Sequence, residues 1–90
     1  MDLKNSTILI TGGTSGIGLE FVRQLTELGA EVIVTGRNRD TLNNVKRRFP
    51  KIHIFQSDVS KPEDIKRLYN NVTRQFPGLN VMINNAGKCG

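Results

Sequence analysis

The chain has 90 residues, a formal net charge of +5, one cysteine and one histidine. That length allows one small domain, which buries only about 60–65% of its unfolded surface. A lone Cys89 beside the C-terminus excludes an internal disulfide, and with only His53 to join it there is no zinc set.

The N-terminal stretch is too short in apolar character for a signal peptide or a membrane span, which points to a cytoplasmic protein with no membrane partner. The acceptor runs Asn5-Ser-Thr7 and Asn71-Val-Thr73 carry no meaning without secretion.

Thr7-Ile-Leu-Ile-Thr11 is apolar on both faces, as a central parallel strand is. Ile17, Phe21, Leu25 and Leu28 then recur at helical spacing and predict the buried stripe of a first helix, which Gly29 stops. Glu31 to Thr35 reads as the second strand. Asn38 can cap a second helix carrying Leu42, Val45 and Phe49, and Pro50 ends it.

Ile52 to Gln56 alternates as a third strand and places His53 on a strand face. Ser60 and Glu63 have the spacing of a capping box, with Pro62 in the first turn. Ile65, Leu68, Val72 and Phe76 mark a third helix that Pro77-Gly78 terminates, and Leu79 to Asn84 is the fourth strand. The strict βαβαβαβ alternation predicts an α/β fold: a parallel sheet with right-handed crossovers, order 3-2-1-4, and helices on both faces.

Glycines 12, 16 and 18 follow the first strand and open the first helix with spacing G-x3-G-x-G. This departs from the G-x-G-x-x-G dinucleotide fingerprint, but the physical roles are similar. Gly12 permits a tight turn, Gly16 admits a pyrophosphate, and Gly18 lets the helix pack on the strand. Thr14 and Ser15 add hydroxyl donors, and the helix N-terminus favours an anion. Leu19 and Glu20 stand where a Walker-type loop needs Lys and Ser/Thr, so that loop is excluded.

The second strand ends in Thr35-Gly-Arg37. A carboxylate there would bind the 2′-hydroxyl of NAD; an arginine can instead pair with a 2′-phosphate, so the expectation is NADP(H) over NAD(H). Arg37, Arg39, Lys46, Arg47 and Arg48 form a basic cluster, with no aromatic residue interleaved before Phe49. It therefore reads as a solvated helix face plus one phosphate-binding arginine, not a nucleic-acid surface.

After the third strand, Asp58 is placed to accept from an adenine amino group with Val59 beside the ring; the competing account makes Asp58 a simple turn residue. After the fourth strand stands Asn84-Asn-Ala-Gly87. In a 3-2-1-4 sheet this run and the glycine turn flank one crevice, where the strand order reverses.

Thr11-Gly-x3-Gly-x-Gly18, Asp58 and Asn84-Asn-Ala-Gly87, in that order, resemble the short-chain dehydrogenase/reductase family over the whole chain. Within it, Leu79 to Gly87 resembles a bacterial DltE-like oxidoreductase subgroup. The resemblance implies a Rossmann-like, usually oligomeric, cytosolic enzyme moving hydride between a nicotinamide and a carbonyl or alcohol substrate. It also implies that Asn84 supports the central strand and that Asn85, Ala86 and Gly87 lie against the cofactor ribose. Ile17 joins the implied cofactor contacts.

The family's catalytic Ser, Tyr-x-x-x-Lys pair and supporting Asn would lie downstream of Gly90. The one tyrosine, Tyr69, is followed four residues later by Thr73, not Lys, and is expected to be a packing residue far from the crevice. The chain thus reads as residues 1–90 of a partial NAD(P)-binding domain, truncated after the fourth strand and without turnover of its own. The alternative is a non-catalytic or vestigial nucleotide-binding fragment. Either way, the sheet face over strands one and four is expected to be partly uncovered, giving weak stability or self-association.

Overall fold

The structure is a computed structural model and describes residues 3–12, 16–58 and 60–84. A 3-10 turn, Leu3–Asn5, leads into β1 (Thr7–Thr11), α1 (Gly16–Glu27), β2 (Glu31–Gly36), α2 (Arg39–Arg48), β3 (His53–Gln56), α3 (Pro62–Gln75) and β4 (Leu79–Asn84). All strand pairs are parallel and the sheet order is β3-β2-β1-β4, as the sequence predicts.

Alternation along each strand sorts the core into two layers. Ile8, Ile10, Val32 and Val34 pack against α1 and α2 through Val22, Leu42 and Val45. Leu9 and Ile33 point to the other face and meet Leu68 and Val72 of α3. Both β1 and β2 are therefore covered on both faces, which is why their sequences are continuously apolar.

Local punctuation works largely as read. Gly29 has φ 89°; its N–H donates to the Thr26 carbonyl, and Ala30 N–H donates to the Leu25 carbonyl. That pair of bonds is a Schellman stop, which needs the left-handed residue. Asn38 Oδ1 accepts from the N–H groups of Asp40 at 2.8 Å and Thr41 at 3.3 Å, capping α2. Lys46 Nζ closes the other end by donating to the carbonyls of Pro50 and Ile52. His53 lies on a strand face, its Nε2 3.1 Å from Glu31 Oε2 and its ring 4.6 Å from that of Phe76.

The predicted stripe of α1 holds at Leu25, which packs against the core, but is out of phase at its other three positions. Ile17 is 70% exposed, Phe21 39% and Leu28 53%, whereas Gly18 and Val22 are buried. The true face runs one residue later, a rotation of about 100°. Gly18 adds nothing to an apolar pattern, yet it faces the sheet and brings Val22 and Leu25 in phase with it.

The predicted capping box of α3 does not form. Pro62 occupies the first helical position, so Lys61 is the N-cap and gives no side-chain cap. Ser60 instead bonds to Asp58, and Asp64 Oδ2 accepts the Asp58 N–H at 3.2 Å. Ile65, expected in the core, is 44% exposed. Strand β3 begins at His53 rather than Ile52, though Ile52 is buried.

The expectation of a partly uncovered face holds. On the α3 side of β1 and β4, Leu9, Ile65, Leu68 and Met82 line an open groove of ≈ 320 Å³. Met82 is 51% exposed there.

Candidate functional site

The site gathers at the C-terminal ends of β1, β2 and β4, where the strand order reverses. At the end of β1, Gly12 has φ 72° and Gly16 φ 60°. Both angles lie where an L-residue is strained and glycine is not. Gly12 N–H is fastened to the Thr35 carbonyl at 3.0 Å, which holds the turn against the end of β2. A Cβ built on Gly16 would meet nothing within 4 Å. That glycine thus keeps open a surface beside the start of α1, which suits a diphosphate seated on a helix N-terminus. Gly18, in the first turn of α1, is buried, as a packing role requires. Ile17 stands exposed in the same turn, which costs it a core role and leaves it available to a ligand.

Thr11 and Asn84 are register partners on β1 and β4. The Thr11 hydroxyl lies 3.0 Å from Asn84 Oδ1 and 3.4 Å from the Ile83 carbonyl. Asn84 therefore does brace the central strand, in agreement with the family expectation. Beside them, the Thr35 hydroxyl is buried and finds no hydrogen-bond partner among the described residues.

Arg37 follows β2 directly and is exposed. Its guanidinium pairs with no carboxylate among the described residues. Gln56 Nε2 donates to its backbone carbonyl at 3.0 Å.

Asp58 is half-buried after β3. Its Oδ1 accepts from Ser60 N–H at 2.9 Å and from Ser60 Oγ at 2.7 Å. These bonds hold its carboxyl below the usual range, and the cations of Arg37 and Lys61 add to the effect. One carboxylate oxygen is thus engaged in the turn that precedes α3, which is the local duty the competing sequence account assigned to it.

The cofactor candidates Thr14, Ser15, Val59, Asn85, Ala86 and Gly87 lie outside the described residues. Tyr69 corrects its expectation: it is 53% exposed rather than packed. It also lines the groove that Thr11 and Asn84 enter from the crevice end. Ile65 and Tyr69 of α3 line that groove together with Met82 of β4. Sequence reasoning passed over Gln56, because a lone polar residue at a strand end gives no periodic or motif signal. Among the described residues no cluster of His, Cys, Asp or Glu could hold a metal ion. No helix among them is long and apolar enough to cross a membrane.

A parallel sheet with a reversal point between β1 and β4, flanked by helices on both faces, defines a Rossmann-like α/β fold. The sequence profile of the short chain dehydrogenases matches residues 6–89, and the chain belongs to that family. It is 46% identical over 87 residues to the uncharacterized oxidoreductase DltE of Bacillus subtilis, covering 97% of this chain and 34% of that protein. Among solved structures, a short chain dehydrogenase from Bacillus anthracis superposes with TM-score 0.87 at 32% identity, over 97% of this chain and 37% of its own. A short-chain type dehydrogenase/reductase from Mycobacterium ulcerans gives TM-score 0.90 at 27% identity, over 100% of this chain and 35% of its own. The chain thus spans about a third of the length of the relatives it matches. Membership in this family implies a nicotinamide dinucleotide site.

Proposed function

We propose that this chain is the NADP(H)-binding portion of a short-chain oxidoreductase that moves hydride between a nicotinamide and a carbonyl or alcohol substrate. The observation that carries the reading is the pairing of positive-φ Gly12 and Gly16 with an exposed Arg37, at the end of the neighbouring strand, that makes no ion pair among the described residues. The turn suits the diphosphate, and Arg37 suits the 2′-phosphate. The nicotinamide supplies the hydride chemistry when bound.

The residues of this chain bind and orient. Gly12 and Gly16 keep backbone at the diphosphate, Arg37 pairs with the 2′-phosphate, and Asp58 with Val59 flanks the adenine. Asn85, Ala86 and Gly87, which follow Asn84 in the sequence, lie along the ribose. In this reading the proton-transferring residues come from outside residues 1–90, and the complete enzyme is a cytoplasmic homo-oligomer.

A charge-assisted arginine–phosphate bond is worth about 1.5–3 kcal/mol, or roughly 10- to 150-fold in affinity. Because Arg37 is exposed, the lower end of that range is expected. Titration with NADPH and NADH, followed through the backbone amides, tests it. NADPH should bind at least about tenfold tighter and shift the amides of Gly16, Gly18 and Arg37. Equal affinities would refute the NADP(H) assignment, and unmoved turn amides in a folded sample would refute the site.

A further inference from the structure

The end of β2 is tied to the end of β3 by more than the backbone ladder. The last register pair is Gly36 with Gln56. One step on, Ser57 N–H donates to the Gly36 carbonyl at 2.9 Å. There the chains diverge, and the Gln56 side chain supplies what the backbone no longer can: its Nε2–H donates to the Arg37 carbonyl at 3.0 Å. On the other side of Arg37, the Asn38 side chain is committed to capping α2. The backbone of Arg37 is therefore held from both sides, while its guanidinium stays without a carboxylate partner among the described residues.

We propose that Gln56 is a positioning residue for the 2′-phosphate end of the dinucleotide site, an inference that rests on the NADP(H) reading above. Gln56 does not touch the phosphate. It fixes the base of the Arg37 side chain, so the guanidinium searches a smaller volume and loses less freedom on pairing. The amide is needed rather than a charge: a carboxylate in its place would lack the donor for a carbonyl and would repel the phosphate. The Arg37 contribution to Asp58 places the two residues in one electrostatic neighbourhood, so the device serves the adenosine end of the crevice as a whole.

The test compares adenosine 2′,5′-bisphosphate with adenosine 5′-monophosphate, by calorimetry on the full chain. Gln56→Met should weaken the bisphosphate roughly two- to tenfold, the worth of one ordinary hydrogen bond, and leave the monophosphate unchanged. In an Arg37→Met background, Gln56→Met should have no further effect, because there is no guanidinium left to position. Equal weakening of both ligands would show a purely structural role and overturn the proposal, as would no change in either. If Arg37→Met itself leaves the preference for the bisphosphate intact, the NADP(H) reading falls and takes this inference with it. If Arg37→Met abolishes the preference while Gln56→Met does not alter it, only the positioning role falls. Should Gln56→Met lose the wild-type circular dichroism spectrum, Gln56→Ala, which trims an exposed strand end, carries the same comparison.

Discussion

Replacing Gly16 by alanine separates what the glycine turn does for the fold from what it does for a ligand. Two terms act on stability. The backbone sits at φ 60°, and a left-handed angle costs an L-residue roughly 1–2 kcal/mol. Steric overlap adds nothing, since a Cβ there meets no atom within 4 Å. In a domain of this size each kcal/mol lowers the melting temperature by about 4–8 °C, so Gly16→Ala should melt roughly 4–16 °C lower. Gly78→Ala is the control. A Cβ at Gly78 also meets open space, and its φ is not in the left-handed region, so its stability should stay within about 0.5 kcal/mol or rise slightly. Binding should respond differently. The open space at Gly16 is where the diphosphate is proposed to sit, so the added methyl should weaken NADPH about tenfold or more, at least about 1.4 kcal/mol. Gly78→Ala should bind normally. Thermal denaturation by circular dichroism and calorimetric titration below the variant's melting range read the two effects independently. A Gly16→Ala protein that melts lower but binds NADPH as tightly as the original would refute the diphosphate seat.

Val22→Ala should cost about 2 kcal/mol in chemical denaturation, whereas Ile17→Ala should stay within about 0.5 kcal/mol; the reverse order would restore the stripe read from the sequence. Asn38→Ala should lose about 1 kcal/mol through the α2 cap, and an unchanged denaturation midpoint would count against that cap. Arg23 and Gln24 hold the Glu20 carboxyl at about 2, against an ordinary 4.5, and Ser60 lowers that of Asp58 from an ordinary 3.8. Both folded values lie below the unfolded ones, so their stabilisation is complete above about pH 5 and is lost as the pH falls through the carboxylate range. A plot of melting temperature against pH should flatten on its acid limb in Glu20→Gln and Asp58→Asn, and limbs parallel to that of the unaltered protein would contradict the assignment.

Much of the fold was legible because it rests on strong local signals. Strands β1 and β2 are buried on both faces and therefore read as unbroken apolar runs. Asn38, Gly29 and Pro77-Gly78 each have a stereochemical reason to sit where a helix begins or ends. The errors share a cause: a residue whose structural duty leaves no trace in hydropathy. Gly18 sets the phase of α1 without adding apolar weight, so Ile17, Phe21 and Leu28 were read into the stripe with Leu25, where Val22 belongs. At α3, Pro62 fixed the first helical position, moved the N-cap to Lys61 and left the Ser60–Glu63 spacing without a function. The candidate site was legible as glycine spacing and as an arginine where a carboxylate could stand. Its tie through Gln56 was not, because a hydrogen bond from a side chain to a carbonyl 19 residues away depends on strand register, and no single-sequence pattern encodes it.

The two halves of the sheet are unequal, and the site is distributed across that inequality. Strands β1 and β2 are each buried at four successive positions. Strand β4 alternates between half-buried and exposed, with Met82 open to the groove. The Gly12 turn and Arg37 therefore stand on the best-packed strands, where a loop inherits the rigidity of its support. What links β4 to the central strand at the crevice is polar: the Thr11 hydroxyl against Asn84 Oδ1. At the opposite end of the same pair, the register slips by a residue and Asn80 Oδ1 takes the Thr7 N–H at 2.9 Å. Asparagine side chains thus fasten β4 to β1 at both ends, where a purely apolar strand could slide. An asparagine at each end holds the fourth strand in the register that sets Asn84 opposite Thr11 at the end of the central strand.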